Sequence, residues 1–390
     1  MKRSTERILT THAGRLEGPA ELRAIVGNVR DRREVDPQKV EPLLHDALVY
    51  VLRKQAEAGV DIVSNGELHR HGYGFTYYGR RLSGLESRKI KEGEAAWMSQ
   101  QTRERKEFPE FYADLGWKGP SERIVCTGPI TYIGDAEVAK DIEAFKAALA
   151  DANVRVEEAF MCALAPGWLE HFFHNEYYDR DEELVFALAE AMRSEYRAIV
   201  DAGFVLQIDD PALPDTYDML DPPPPIEEYR KFAAFRIDAL NYALEGLPED
   251  RIRYHICWGS WHGPHTHDLP LEHVVDLMLR VKAGAYSVEA ANPRHEHEWK
   301  IWRETKLPEG KILIPGVISH ATNVVEHPEL VADRIVRFAE LVGRENVIAG
   351  TDCGLGLRVH HEIAWAKLAA LAQGAALASE RLWRRPKPGL

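Results

Sequence analysis

Residues 328–354 read PELVADRIVRFAELVGRENVIAGTDCG. Val331, Ile335, Phe338 and Val342 recur at three- and four-residue spacing, which stacks them on one helix face, and the pattern stops at Gly343. NVIAGTDCG follows as a short apolar run that closes on Asp352 and Cys353. This order of helix, strand, then polar residues at the strand's end decides the fold, because it recurs along the chain.

The other β-rich runs are RILTTHAG, VDIVSNGE, RIVCTGPITYI, AFMCALAPG, FVLQIDDPAL, RIRYHICWG, AYSVEAANP and KILIPGVIS, with helical patterns such as 40–59 and 181–203 between them. Repeated β-then-α order implies parallel strands joined by right-handed crossovers. A doubly wound open sheet shares that order, but no Gly-rich dinucleotide loop follows the first run. The expectation is an α/β protein, a (β/α)8 TIM barrel, forming a single domain over 1–390. Nine runs compete for eight barrel strands, and 127–180 is where the surplus is expected. Residues 84–122 are polar and weakly periodic, so they read as an insertion: a surface hairpin, a lid, or a solvated loop. DPPPPIEEY (221–229) reads as a rigid extended segment before a helix. The basic, Pro-rich tail over 380–390 is expected to be peripheral.

The chain has 390 residues, 45% hydrophobic and 28% charged, which suits a globular protein with a sizeable core. A net charge of −13 disfavours nucleic acid and anionic membrane as partners. No run reaches the ~18–20 apolar residues that span a bilayer. The opening MKRSTERILTTHAG lacks the apolar core of a secretory signal. Its four cysteines are too scattered for a disulfide framework, so a cytoplasmic location with free thiols is expected. A homo-oligomer is compatible with the sequence.

Barrel catalytic groups come from the C-terminal strand ends. There the sequence places His12, Glu67, Asp209, His255, Cys257, Glu289 and Cys353. His255 and Cys257 are two apart on a strand, so both face the barrel mouth while Ile256 turns toward the helices. Cys353 adds a second thiolate and Glu289 a candidate fourth ligand. Two thiolates with one imidazole point to tetrahedral Zn2+. A buried structural pair is the competing reading of His255 and Cys257. The loop histidines His262, His265 and His267, and His295 and His297 beyond Glu289, read as solvated or capping residues or as a second metal site. Asp209 and Glu67 suit a substrate ammonium or hydroxyl, or acid and base roles. Asp210 before Pro211 reads as a turn starter, and Cys126 and Cys162 as buried inert thiols.

HICWG, YSVEA and GTDCG, in that order, resemble the zinc-binding strand ends of the cobalamin-independent methionine synthase superfamily. THAG, SNGE, TGPITY and IDDPAL resemble its earlier strand ends, with TGPITY at strand three. SVEAANPRHEHEW, IPGVI, TNVVEHPELVADRI and VIAGTDCG look closest to the single-barrel branch, which includes epoxyalkane:coenzyme M transferases. The resemblance implies Zn2+ held by His255, Cys257, Glu289 and Cys353, and a small-molecule thiol that binds the zinc and is alkylated by a methyl donor or an epoxide. It implies that Glu67, Asp209 and the backbone around His12–Gly14 contact the thiol's polar end. A family histidine after the IPGV-type strand protonates the departing group; His320 is the candidate, its register shifted by one. Arg294 is a candidate partner for a sulfonate or carboxylate, or a surface salt bridge. The duplicated N-terminal half of full-length methionine synthases is not expected. Two other classes compete: a metal-dependent hydrolase built on the histidine-rich loop, and a non-catalytic zinc-stabilised binding barrel.

Overall fold

The structure, a computed structural model, describes residues 1–26, 37–70, 74–92, 102–116 and 122–383. Its strands in chain order are β1 (Leu9–Thr10), β2 (Ile62–Ser64), β3 (Leu85–Lys89), β4 (Glu122–Cys126), β5 (Glu158–Leu164), β6 (Phe173–Asn175), β7 (Val205–Asp209), β8 (Ile252–Ile256), β9 (Ala285–Val288), β10 (Ile312–Ile318) and β11 (Ile348–Thr351). Eight of them form one parallel sheet in the order β1-β11-β10-β9-β8-β7-β5-β2. Its two end strands meet: the Asp61 N–H donates to the Thr10 carbonyl at 3.2 Å, and the Thr11 hydroxyl donates to the Ile62 carbonyl at 3.1 Å. The sheet thus closes into the expected (β/α)8 barrel. The opening stretch becomes helix Pro328–Val342, ended at Gly343 with φ 91°, followed by β11.

The surplus strand is β4, the RIVC of RIVCTGPITYI. It lies just ahead of the region expected to hold it, and TGPITY therefore does not end the third barrel strand; β5 supplies that strand. β4 pairs antiparallel with β3 and parallel with β6, off the barrel. Burial separates the two candidates, since β5 is buried from Phe160 to Leu164 whereas β4 is buried only at Val125 and Cys126. Strand periodicity alone cannot see that difference.

Within 84–122, β3 supplies one arm of a hairpin that runs on to Cys126, and two short helices, Thr102–Glu107 and Pro109–Asp114, stand beyond it. Of the tail, residues 380–383 complete helix His361–Trp383, and 384–390 lie outside the described residues. Among the described residues no helix is long and apolar enough to cross a membrane.

Strand alternation builds two cores. Ile252, Tyr254 and Ile256 of β8 pack outward with the helices, as the sequence implies for Ile256. Inside the barrel, Leu9, Ile62, Phe160, Val205, Ile314 and Ile348 pack together. Arg253 lies above them, stacked 3.5 Å from the Phe160 ring centroid and donating to Gln207 Oε1 and the His12 carbonyl, both at 2.6 Å. This polar layer is the floor of the mouth.

Candidate metal centre and substrate pocket

Three groups of side chains with metal-ligating atoms meet at the C-terminal mouth. In each, the candidate ligand atoms lie within 4.8 Å of one another: His255 with Cys257 and Cys353; Glu67 with Cys162 and Asp209; Glu289 with His320 and Asp352.

In the first group β8 and β11 deliver one imidazole and two sulfurs. The sulfurs stand 3.7 Å apart without a disulfide. Two sulfurs bound at ~2.3 Å to one tetrahedral zinc stand about 3.8 Å apart, so the spacing already suits a shared ion. His255 Nδ1 is 3.1 Å from Ser287 Oγ on the neighbouring strand, while Nε2 is buried and has no hydrogen-bond partner among the described residues. A buried polar atom left free needs an explanation, and a ligand position supplies one. The thiols' mutual hydrogen bond, with burial, holds Cys257 well above the usual thiol range. The same hydrogen bond, helped by the adjacent His255, holds Cys353 well below it.

Glu289, the expected fourth ligand, sits beside this trio and is grouped instead with His320 and Asp352. Its Oε1 accepts the Trp258 N–H and its Oε2 the Asn292 amide, both at 3.1 Å. His320 is fully buried with neither ring nitrogen bonded among the described residues, and burial lowers its pKa. A neutral ring therefore faces the Glu289 carboxylate.

The second group forms a pocket wall. Gln207 Nε2 donates to Asp209 Oδ1 at 2.6 Å, and Arg70 reaches Glu67 Oε2 at 3.3 Å. Burial pushes the Asp209 carboxyl up to about 7. Gly14 has φ 122°, and a Cβ there would lie 2.6 Å from Glu67 Oε1 and 2.7 Å from Cys162 Sγ. Only glycine leaves that space. Glu67 itself holds a left-handed backbone, φ 55°, a strained state for a non-glycine residue of the kind that clusters at functional sites.

Residues 121–376 match the family model described as the catalytic domain of cobalamin-independent synthase, which is more than half of the chain. The chain belongs to this family. Its methionine synthase relative from Sulfolobus acidocaldarius is 24% identical over 379 residues, covering 96% of this chain and 94% of that protein. The methionine synthase of Saccharolobus solfataricus is 22% identical over 381 residues, covering 96% of each. Among solved structures, a B12-independent methionine synthase from Shewanella in complex with selenomethionine superposes with a TM-score of 0.73 at 20% identity, over 96% of this chain and 99% of that one. A putative vitamin-B12 independent methionine synthase from Listeria monocytogenes gives 0.64 at 18%, over 97% and 100%. At such identities these structures support the barrel fold of this cobalamin-independent synthase family member.

The remaining residues singled out in this family member divide clearly. His12 is saturated by the protein: Nε2 meets Gln55 Oε1 at 2.8 Å and Nδ1 accepts the Gly14 N–H at 3.1 Å. Burial lowers its pKa to about 3, so it is a neutral brace for the Gly14 turn. The carbonyls of His12, Ala13 and Gly14 accept from Arg253, Gln207 and Ser64. Arg294 is exposed and donates to the Thr266 carbonyl at 2.9 Å. The loop histidines do not converge: His262 meets the His320 carbonyl, His267 meets Glu107, and His265 meets Asp268. Asp268 also takes His295, whose other nitrogen meets Glu298. His265 is stacked on Trp261 and His295 on Trp258, each with 3.8 Å between centroids. None of the three loop histidines joins a metal-capable group among the described residues. Asp210 accepts the Tyr254 hydroxyl at 2.7 Å.

Cys162, read from the sequence as a buried inert thiol, is buried, which pushes its thiol well above the usual range, and it stands with Glu67 and Asp209; Arg70 and Asp352 were not singled out. Cys162 lies two residues before Leu164 in an apolar run and faces inward by strand alternation, which was the available signal. Asp352 stood next to Cys353 in the deciding stretch.

Proposed function

We propose that the protein methylates the sulfur of an aminothiol of the homocysteine type, with Zn2+ held by His255, Cys257, Cys353 and Glu289. The observation that carries this reading is the first group: two sulfurs 3.7 Å apart facing an imidazole whose Nε2 is free among the described residues. Bound there, zinc keeps a substrate thiol as thiolate at neutral pH. Glu289, held beside that trio by hydrogen bonds from Trp258 and Asn292, would be the fourth ligand, a carboxylate that yields to a substrate thiol more readily than a thiolate does. Glu67 and Asp209 would take the ammonium of the thiol substrate, with Arg70, Arg15 and Arg253 as their charged neighbours. His320, a neutral ring with both nitrogens unpartnered among the described residues, would take the proton that the substrate thiol loses and pass it to the departing group, and its burial excludes competing water.

Relatives named methionine synthase support a methyl donor over an epoxide. A hydrolase on the histidine-rich loop would need His262, His265 and His267 on one ion, and each has its own protein partner. Four free cysteines suit a reducing cytoplasm. The test is thiol consumption by zinc-loaded protein with homocysteine or coenzyme M against methyl donors and small epoxides. Turnover of homocysteine with a methyl donor is expected; turnover of coenzyme M with an epoxide alone would overturn the choice of substrate.

A further inference from the structure

Asp352 is buried to 0% exposure, yet it has no part in the chemistry above. Its Oδ1 accepts two backbone N–H groups, from Ala290 at 2.7 Å and Ala291 at 2.9 Å. Those are the two residues after Glu289. Its own N–H donates to the Ile318 carbonyl at 2.9 Å, two residues before His320. Asp352 in turn directly precedes Cys353. One residue therefore joins the ends of β9, β10 and β11, each of which carries a member of the candidate site. The fold makes room for it: β10 has glycine at 316, where a Cβ would lie 2.3 Å from Asp352 Oδ1, and the β10–β11 ladder shifts register there.

We infer that Asp352 is a positioning residue that sets Glu289, His320 and Cys353 in register with one another, so that a metal ion meets a preformed site. This rests on the zinc reading above. The physical reason is directional. A turn after β9 held only by its own backbone could rotate Glu289 away, whereas two N–H groups fixed to one carboxylate oxygen define both position and twist. Asn at 352 keeps an oxygen able to accept both N–H groups; Ala keeps none. Outer-shell partners of metal ligands typically contribute about ten- to a hundredfold in metal affinity.

The experiment is zinc affinity by competition with a chromophoric chelator, with the visible spectrum of the cobalt-loaded protein as a report on ligand geometry. Wild type, Asp352→Ala and Asp352→Asn are compared as full chains. Asp352→Ala is expected to weaken zinc about ten- to a hundredfold and alter the cobalt bands, with Asp352→Asn restoring both to within a few-fold. Asp352→Ala with wild-type affinity and spectrum overturns the inference while leaving the zinc reading intact. Equal loss in both variants also overturns it. If Asp352→Ala does not fold, Asp352→Asn carries the test alone: a folded protein with tenfold weaker zinc overturns the acceptor role. Wild type that takes up no zinc overturns the zinc reading and the inference together.

Discussion

Replacing Gly14 by alanine tests the substrate pocket without touching a charge. The new Cβ would stand 2.6 Å from Glu67 Oε1 and 2.7 Å from Cys162 Sγ, so the carboxylate must move by roughly a bond length's fraction to clear it. The φ of 122° adds backbone strain of about 1–3 kcal/mol, against a total stability of roughly 5–15 kcal/mol, so the variant should fold with a lower Tm. A hydrogen bond to a charged group contributes about 1.5–3 kcal/mol, and about 1.4 kcal/mol is a factor of ten. Loss of the Glu67–ammonium contact should therefore raise KM for homocysteine about ten- to a hundredfold. The assay is initial rate against homocysteine at saturating methyl donor, with zinc content measured on the same samples. Zinc should be unchanged, and Glu67→Gln should move KM the same way without the strain. A folded Gly14→Ala protein with KM within about twofold of wild type would refute the pocket assignment, given the magnitude expected for a charged contact. Loss of zinc at constant KM would mean that Gly14 serves the metal trio instead.

His265 and His295, paired through Asp268, have pKa values raised to about 9 and about 10. In the unfolded chain both return to about 6.5. Folded values above unfolded ones mean that this stabilisation is complete below about 6.5 and is lost as pH rises through 9 and 10. Chemical denaturation from pH 7 to 10 should show falling stability, and a flatter slope in His295→Gln; an unchanged slope would show that the pair does not titrate there. Lys367, fully buried, donates to Glu326 Oε2 at 2.8 Å and the Val324 carbonyl at 2.7 Å, while Glu326 Oε1 accepts the Ser319 N–H beside His320. Lys367→Met should cost about 3–5 kcal/mol in urea unfolding, and adding Glu326→Gln should recover part of it. A loss within about 0.5 kcal/mol would contradict the pairing. Arg294→Ala should leave KM for the thiol within about threefold, because the side chain is exposed and turned to the Thr266 carbonyl. A rise beyond tenfold would place Arg294 on the substrate.

The barrel was legible because helix and strand periods alternate cleanly, and because polar residues end the apolar runs. His255, Cys257 and Cys353 were legible for the same reason: position on a parallel strand fixes which face and which end a side chain occupies. β4 was misplaced because a half-buried strand of a side sheet and a barrel strand share a period of two, and only burial separates them. Glu289 was rightly sent to the mouth, but its grouping with His320 and Asp352 depends on hydrogen bonds from Trp258 and Asn292, which no spacing encodes. The backbone around His12–Gly14 was expected to meet substrate; its carbonyls accept from Arg253, Gln207 and Ser64, and the His12 ring meets Gln55 and the Gly14 N–H, all matters of tertiary packing. Asp352 acts on backbone N–H groups, which carry no side-chain signature at all.

Metal content of the purified protein, read beside the count of titratable thiols, tells whether His255, Cys257 and Cys353 hold zinc. One zinc per chain is expected, lost in Cys257→Ser and in Cys353→Ser together with homocysteine methylation, while Cys126→Ser retains both. A protein that methylates the thiol with no bound metal and with Cys257 and Cys353 both free to react would contradict the zinc reading.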